Sequence, residues 1–132
     1  MSTLQVANIS DGTDTVATGY VVNGSAKAWF NINSATPAIR ESLNISSLTD
    51  GGTGLYEGTF SSAMSNGNYV AIATSSATGS TNSYTNNVTT GDDSDSLGLH
   101  STSAIRVNSY SNNVTALSDP NMLQAGIIGD LA

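Results

Sequence analysis

Apolar and polar residues alternate in several short stretches of the chain, with the period of two expected for a β-strand that buries one face. In residues 27–33, KAWFNIN, the side chains of Phe30 and Ile32 fall on one side and those of Lys27 and Trp29 fall on the other. We therefore predict that Phe30 and Ile32 lie in the core. Trp29 belongs to the opposite face, where a second sheet, a loop or a neighbouring subunit covers it, or where it is exposed.

Further segments with alternating or β-branched apolar residues are also predicted to be strands. They are Thr15–Val22, Glu41–Leu48, Leu55–Ser61, Asn68–Thr74 and Ala104–Tyr110. The tail, MLQAGIIGDLA, is predicted to be a last apolar strand or an arm.

Segments rich in glycine or containing proline separate these strands. Thr49–Gly54, TDGGTG, supplies three glycines and is predicted to be a hairpin loop that needs positive φ angles. Ser65–Asn68, SNGN, is predicted to be a second turn of the same kind. In Thr36–Ser42, TPAIRES, Pro37 suits the first position of one short helical turn.

Seven or eight short strands at these spacings predict an all-β protein, an antiparallel β-sandwich or jelly-roll-like body with extended terminal arms. A chain of 132 residues fits one compact domain. We expect residues 1–14 to form an N-terminal arm or first strand, and residues 15–132 to form a single sandwich domain. Within that domain, residues 75–96 are expected to be a long polar loop or a polar strand pair that projects from the body.

Composition and charge narrow the classes of partner. The formal net charge is −7, so phosphate backbones and anionic membrane surfaces would repel the chain, and we expect no nucleic-acid partner. We expect no membrane insertion, because no run approaches the roughly 20 apolar residues that span a bilayer. The chain has no cysteine, which excludes disulfides and thiolate chemistry. Oligomerisation is then the remaining way for so small a domain to bury more surface.

Candidate catalytic and metal-binding residues are few. His100 is the sole histidine, and because no nucleophile motif surrounds it, a structural or solvent-exposed histidine is the favoured interpretation. Asp92, Asp93 and Asp95, like the aspartates within residues 11–14, offer oxygen ligands for Ca²⁺, but their spacing does not match a calcium-binding loop and favours acidic solvated loops. We therefore predict no catalytic residue, no cofactor, no metal site and no enzymatic activity.

The middle of the chain carries a set of residues at fixed spacing, at positions Ala26–Trp29, Ala38–Arg40, Ser46–Gly54 and Asn68–Val70. On these residues the chain resembles a recurrent module that tailed phages, particularly marine ones, encode among genes for fibres and other virion structural proteins. In that module an AKAWxNFN strand precedes an AIRxSxNVSS(I/L)TDxGTGxYxVxF hairpin and then AMxxxNYxV. The end of the chain, AIRVNSYSNNVTALSDPNMLQAGIIGD, is similar to the end of the module.

The resemblance implies a virion structural protein, either a trimeric capsid decoration or cement-type protein or a surface appendage. Its expected partners are identical subunits in a homotrimer and other virion proteins, such as the major capsid protein or tail proteins. Its expected location is the virion surface, on the capsid exterior or the tail. We expect synthesis in the host cytoplasm without a signal peptide, because the N-terminal residues have no basic region followed by an apolar core.

The alternative is a receptor-binding module of a tail fibre or spike that recognises host surface glycans. In that case the polar segment 75–96 would supply the receptor loop, with Tyr84, Asp92, Asp93 and Asp95 as its candidate residues. The resemblance leaves the choice between a capsid and a tail location open.

The assembly hypothesis also points to subunit-interface residues, namely Lys27, Trp29, Arg40 and Arg106. A side chain as large as that of Trp29 favours a contact partner over open water. In a chain with so few cations, we expect Arg40 and Arg106 each to be fixed by a carboxylate or by carbonyls at a chain boundary.

Docking arms are expected in the two terminal segments, residues 1–10 and 122–132. Their candidate docking residues are Leu4, Val6, Leu123, Ile127 and Ile128.

Overall fold

The computed structural model describes residues 3–76, 100–110 and 117–132, and the backbone of residues 87–90. Within these residues the chain forms ten strands and one short helix. They are β1 (Asn8–Ser10), β2 (Thr15–Ala17), α1 (Thr18–Gly24), β3 (Ala26–Asn33), β4 (Ala38–Leu43), β5 (Ile45–Gly52), β6 (Leu55–Phe60), β7 (Val70–Ser75), β8 (Asn87–Thr90), β9 (Ala104–Tyr110) and β10 (Leu123–Ile128).

Eight of these strands form two antiparallel four-stranded sheets. The first sheet has the order β4-β3-β10-β7 and the second has the order β5-β6-β9-β8, while β1 and β2 pair with each other in a separate hairpin. The inward-facing residues of both sheets, with Met64 and Tyr69 from the connection between β6 and β7, form one hydrophobic core. The predicted all-β, antiparallel, sandwich-like fold is confirmed.

The alternation in β3 matches the prediction. Phe30 and Ile32 are buried in the core, and Lys27 and Trp29 are partly exposed on the other face of the sheet. The hairpin between β5 and β6 is also confirmed, and its loop uses positive φ angles at Gly52 and Gly54, as the glycine-rich sequence required.

The prediction of a strand over Thr15–Val22 holds only for its first three residues, because β2 ends at Ala17 and α1 begins at Thr18. The amide of Thr18 donates a hydrogen bond to the carbonyl of Ala7, and its hydroxyl group lies 2.9 Å from the carbonyl oxygen of Val6. These bonds close the β1-β2 hairpin. A period-two pattern of valines cannot reveal them, because the partners lie eleven and twelve residues earlier in the chain.

The predicted strand Glu41–Leu48 is two strands that belong to different sheets. Asn44 separates them with a φ of 56°, a left-handed conformation that asparagine tolerates better than most residues. Its side chain holds the bend by pairing with the backbone of Ser62, through an Nδ2 donor at 3.0 Å and an Oδ1 acceptor at 2.7 Å. The chain therefore crosses here from the first sheet to the second.

The predicted helical turn at Thr36–Ser42 is wrong as well. Residues 34–37 form the turn of the β3-β4 hairpin, and Ala38 begins β4, whose pairing with β3 prevails over the local helical preference. The prediction that SNGN is a hairpin turn is also wrong, because this segment lies between β6 of the second sheet and β7 of the first. Gly67 is not left-handed there; an added Cβ would lie 2.9 Å from the carbonyl oxygen of His100, so this glycine serves a close approach.

Candidate functional site

Residues 3–24 differ from the rest of the described chain in their burial. Residues 3–24, which we call the N-terminal arm, consist of the β1-β2 hairpin and α1, and none of them is buried. Leu4 and Tyr20 are 84% and 77% exposed. Two-stranded hairpins and helices of two turns are marginally stable in water by themselves. The arm therefore lacks a core of its own, and it extends beyond the boundary expected at residue 14.

Lys27 connects the arm to the sandwich. Its ammonium group donates hydrogen bonds to the carbonyl oxygen of Val22 and, at 2.9 Å, to that of Ser25. The amide of Ser25 donates to the carbonyl of Val21. A cation at this end of α1 satisfies carbonyls that have no partner within the helix. The predicted interface residue Lys27 is thus a clamp at the root of the arm.

The outer face of the first sheet carries a row of apolar positions across all four strands. In the strand register, Trp29 lies opposite Leu43 on one side and Gly126 on the other, and Gly126 lies opposite Ile72. Leu43 and Ile72 are 47% and 60% exposed. On the same face, Val70 pairs with Ile128 at the end of β7 and β10, and it is 59% exposed.

Gly126 opens a slot in this row between Trp29 and Ile72. A Cβ built on Gly126 would meet no atom within 4 Å, and its backbone is not left-handed, so the space lies open above an ordinary strand position. The resulting groove continues past Asn31 and Gln124, whose amide nitrogens lie 3.8 Å and 3.1 Å from the sulfur of Met122. The groove is therefore apolar at the slot and carries amide groups at its other end.

The outer face of the second sheet has a different character. Glu57 and Arg106 lie opposite each other on β6 and β9 and form an ion pair at 3.3 Å. Thr49 and Thr59 lie on the same face. An ion pair of this exposure contributes little to stability, but it makes the face compatible with water.

The exposed large apolar side chains of the described residues are concentrated in two places. Seven lie on the arm and three on the outer face of the first sheet, and one more lies near the end of the chain. They are Leu4, Val6, Ile9, Val16, Tyr20, Val21 and Val22 on the arm, Leu43, Val70 and Ile72 on the sheet, and Leu131. We treat the arm and this outer face as the candidate site.

The four predicted interface residues do not form one patch. Lys27, Trp29 and Arg40 belong to the first sheet and Arg106 belongs to the second. Both arginines find partners within their own chain, as Arg40 donates to the carbonyl of Asn121 at 3.2 Å and Arg106 pairs with Glu57. Of the four, Trp29 is the residue that borders the groove.

The tail contains a last apolar strand, which is one of the two predicted alternatives, and the prediction of Leu123 and Ile127 as docking residues is wrong. Leu123 and Ile127 are fully buried, because β10 is a central strand that pairs with β3 on one side and β7 on the other. Ile128, at the end of that strand, is partly exposed. Leu4 and Val6 are exposed on the N-terminal arm, which remains the candidate docking arm.

Asp119 forms a polar junction that the sequence pattern did not reveal. Its Oδ1 accepts a hydrogen bond from the hydroxyl of Tyr56 at 2.7 Å and from the amide of Gly54 at 2.6 Å. Burial and the neighbouring Asp119 carboxylate raise the pKa of Tyr56. Since this junction is enclosed by three chain segments, its role is to hold the β5-β6 loop against the segment before β10.

His100 packs against Tyr69, with the ring centroids 4.5 Å apart and the planes nearly parallel. Burial raises the pKa of Tyr69 to about 12, and its hydroxyl lies 3.1 Å from the carbonyl oxygen of Ala104. Nε2 of His100 is buried and has no hydrogen-bond partner among the described residues. The stacking gives His100 a packing role.

The acidic segments offer limited metal chemistry. Within residues 11–14, Oδ1 of Asp11 accepts hydrogen bonds from the amides of Asp14 and Thr13, and these bonds lower the pKa of Asp11. In the part of the chain that the structure describes, no group of three or more His, Asp or Glu side chains could hold a metal ion. The predicted receptor-loop residues fall outside the described residues. They are Tyr84, Asp92, Asp93 and Asp95.

No helix in the described ranges is both long and apolar enough to span a membrane. No family model matches the chain, and comparisons with curated proteins and with solved structures also find no match. The arm and the outer face of the first sheet are therefore the features from which a function can be inferred.

Proposed function

We propose that this protein is a non-enzymatic building block of the surface of a tailed-phage virion, which assembles with identical copies, most simply as a trimer. The single observation that carries the proposal is an arm of 22 residues, 3–24, with exposed apolar side chains and no buried residue of its own. The resemblance of residues 26–70 to a module of phage virion proteins supports the proposed location on the virion.

Exposed apolar surface of this kind has a recognised physical meaning. Monomeric soluble proteins rarely expose large contiguous apolar patches, and such patches mark protein interfaces or binding grooves. Here the outer face of the second sheet carries the ion pair of Glu57 and Arg106 and exposes no large apolar side chain among the described residues. The first sheet exposes Leu43 and Ile72 on either side of Trp29 and Gly126. The contrast favours burial of the first sheet by a partner.

The proposed role needs no catalytic chemistry. Capsid decoration and surface appendage proteins act by shape, by backbone hydrogen bonding and by the stability of their assembly, and homo-oligomers with closed symmetry are the common form of such assemblies. The other proposed partners are virion proteins, such as the major capsid protein or tail proteins.

Two measurements test this function. Sedimentation velocity of the purified chain from low to high micromolar concentration is expected to give one oligomer with the mass of three copies, and a monomer throughout that range would refute the assembly. Reconstruction of virions with and without the protein is expected to show extra density on the capsid exterior. Density confined to the tail would refute capsid decoration and favour a tail appendage.

A second candidate function is recognition of host surface glycans by a tail fibre or spike. The observation that favours it is the groove on the first sheet, where Trp29 lies near the side chains of Asn31, Thr74 and Gln124. Aromatic faces combined with amides and hydroxyls suit sugar rings, which present both apolar and hydroxyl-bearing surfaces. Binding of host envelope glycans that quenches Trp29 fluorescence and is lost in Trp29→Ala would support it; adsorption unchanged in that variant would refute it.

A further inference from the structure

We propose that the outer face of the first sheet is the docking site for the N-terminal arm of a second copy of this chain, with an apolar side chain of that arm filling the slot at Gly126. The inference rests on the proposed function in one respect, that the chain assembles with itself. It holds for an assembly on the capsid, on the tail or in solution.

Both surfaces lack an apolar partner within the described chain. The arm exposes Leu4, Tyr20 and Val22, and the sheet exposes Ile72 next to the open slot. Removal of these side chains from water is favourable in proportion to the apolar area that is buried. Because no residue of the arm is buried, joining the two surfaces would stabilise the arm as well as cover the sheet face.

The amount of surface also suits a specific interface. The exposed apolar side chains of the arm and the sheet face together present on the order of 1,000 Å², on a scale where one buried aromatic side chain accounts for about 150–250 Å². Specific protein interfaces bury about 1,200–2,000 Å² in total. An arm seated on the sheet face, with the polar atoms around both, reaches that range.

The geometry favours the face of another copy over the face of the same chain. A single residue, Ser25, joins α1 to β3, and the contacts of Lys27 with Val22 and Ser25 fix the direction in which α1 leaves the sheet. In this arrangement the arm and the sheet face of one chain are both exposed. An arm that is held away from its own sheet can cover an equivalent sheet in a neighbour.

Such a contact joins two different surfaces, because each copy gives an arm to one neighbour and receives an arm from another. A head-to-tail contact of this type produces a closed ring when its rotation closes and an open filament when it does not. A ring of three copies would satisfy every arm and every sheet face. The inference thus gives a physical basis for the proposed trimer.

Cysteine cross-linking tests which surfaces meet, because the natural chain contains no cysteine. Two single variants of the full chain, Tyr20→Cys and Ile72→Cys, are made with different isotope labels, mixed and oxidised mildly. Both positions are highly exposed, so neither substitution disturbs the core. The matched control replaces Ile72→Cys with Thr59→Cys, which lies on a central strand at the outer face of the second sheet.

We expect the Tyr20/Ile72 mixture to give at least about ten times more labelled heterodimer than the Tyr20/Thr59 mixture, since a tenfold ratio corresponds to about 1.4 kcal/mol of preference. Equal yields from the two mixtures would overturn the proposed docking site. A high yield of Tyr20 homodimers in place of heterodimers would overturn it too, because it would place arm against arm.

A second variant tests the slot without a cross-link. Gly126→Lys fits an open strand position and fills the slot, and Thr59→Lys places the same charge on the opposite outer face. Far-ultraviolet circular dichroism and urea unfolding confirm that each variant is folded. We expect Gly126→Lys to dissociate the oligomer at concentrations where wild type and Thr59→Lys remain assembled.

The failure of this inference can be distinguished from the failure of the proposed function. If wild type forms an oligomer that Gly126→Lys leaves intact, the arm docks elsewhere and the building-block function stands. If wild type is a monomer at all concentrations, both fail. If the monomer instead binds a host glycan and Gly126→Lys abolishes that binding, the groove is a sugar site and the docking inference is refuted.

Discussion

The hydroxyl of Tyr56 provides a sensitive test of how the sandwich is held together. Tyr56 is almost fully buried, and its hydroxyl donates to Oδ1 of Asp119 at 2.7 Å, with the carbonyl oxygen of Ser34 also nearby at 3.2 Å. The variant Tyr56→Phe removes this one oxygen and its proton and leaves the aromatic ring in place. The perturbation is therefore a lost hydrogen bond with almost no change in packing.

The expected cost follows from the acceptor. A hydrogen bond to a charged group contributes about 1.5–3 kcal/mol, and a buried acceptor that loses its donor adds to the cost of the change. Asp119 keeps the amide of Gly54 at 2.6 Å, so its carboxylate retains one strong partner. We therefore expect Tyr56→Phe to lower the free energy of unfolding by about 2 kcal/mol.

Urea unfolding followed by circular dichroism and by Trp29 fluorescence measures this free energy. All variants are compared at one protein concentration, because assembly makes the apparent stability of an oligomer depend on concentration. Tyr20→Phe is the matched control at a concentration where wild type is dissociated, since its ring is 77% exposed on the arm of the single chain, and we expect a change within about 0.5 kcal/mol there.

A double-mutant cycle with Asp119→Ala isolates the pair. We expect a coupling free energy of about 1–2 kcal/mol between Tyr56→Phe and Asp119→Ala, because removal of either partner already breaks the bond. Additive effects, or a Tyr56→Phe variant as stable as the Tyr20→Phe control, would refute the view that this bond closes the β5-β6 loop against the segment before β10.

Three further predictions, which use five substitutions, test the backbone and the core by the same unfolding measurement. Gly54→Ala should lower the free energy of unfolding by about 3 kcal/mol or more, because its Cβ would clash with the backbone of β9. Gly52 is also left-handed but lies in open space, so Gly52→Ala should lower it by about 1–2 kcal/mol. Equal losses in the two variants would contradict this account. Asn44→Gly should lose about 1–2 kcal/mol with its two hydrogen bonds to Ser62, and Asn44→Ala more, because alanine also resists the positive φ; the reverse order would refute the assigned strain. The pKa of Tyr69 rises from 10.0 to about 12 on folding, so the stability it supports is complete below about pH 10 and falls as pH rises towards 12. Tyr69→Phe should make that fall shallower, and an unchanged pH profile would contradict the shift.

The sequence pattern predicted those features that depend on near neighbours. Alternation placed Phe30 and Ile32 inside and Trp29 outside, and the glycines before Leu55 predicted the hairpin loop. The pattern could not show that Asn44 transfers the chain between sheets, because a period of two continues through the bend and does not identify the sheet to which each strand belongs. For the same reason the partners of β10 were not predicted, since they come from strands that lie far away in the chain.

The candidate site was predictable only in part. Leu4 and Val6 were correctly placed on an exposed terminal segment. The arm continues to Gly24 because residues 3–24 do not pack into the core, and the local sequence pattern does not show whether a segment packs there. The clamp by Lys27 also escaped prediction, because the lone lysine was interpreted from its position on a strand face. Its partners are carbonyl groups, which every residue carries and which therefore leave no sequence signal.

At Gly126, the residues that would stabilise the strand more than glycine would also fill the slot proposed for assembly. A glycine within a strand is destabilising by about 0.5–1 kcal/mol relative to alanine, and a β-branched residue would suit the central strand β10 better still. The space above Gly126 is open, so nothing in the isolated fold requires glycine there. If an arm from a second copy fills the slot, the lost strand stability is offset at the interface.

Gly126→Val should then raise the free energy of unfolding measured at concentrations where wild type is dissociated, and it should weaken the oligomer. A variant that gained stability and assembled as tightly as wild type would show that the slot has no role in assembly.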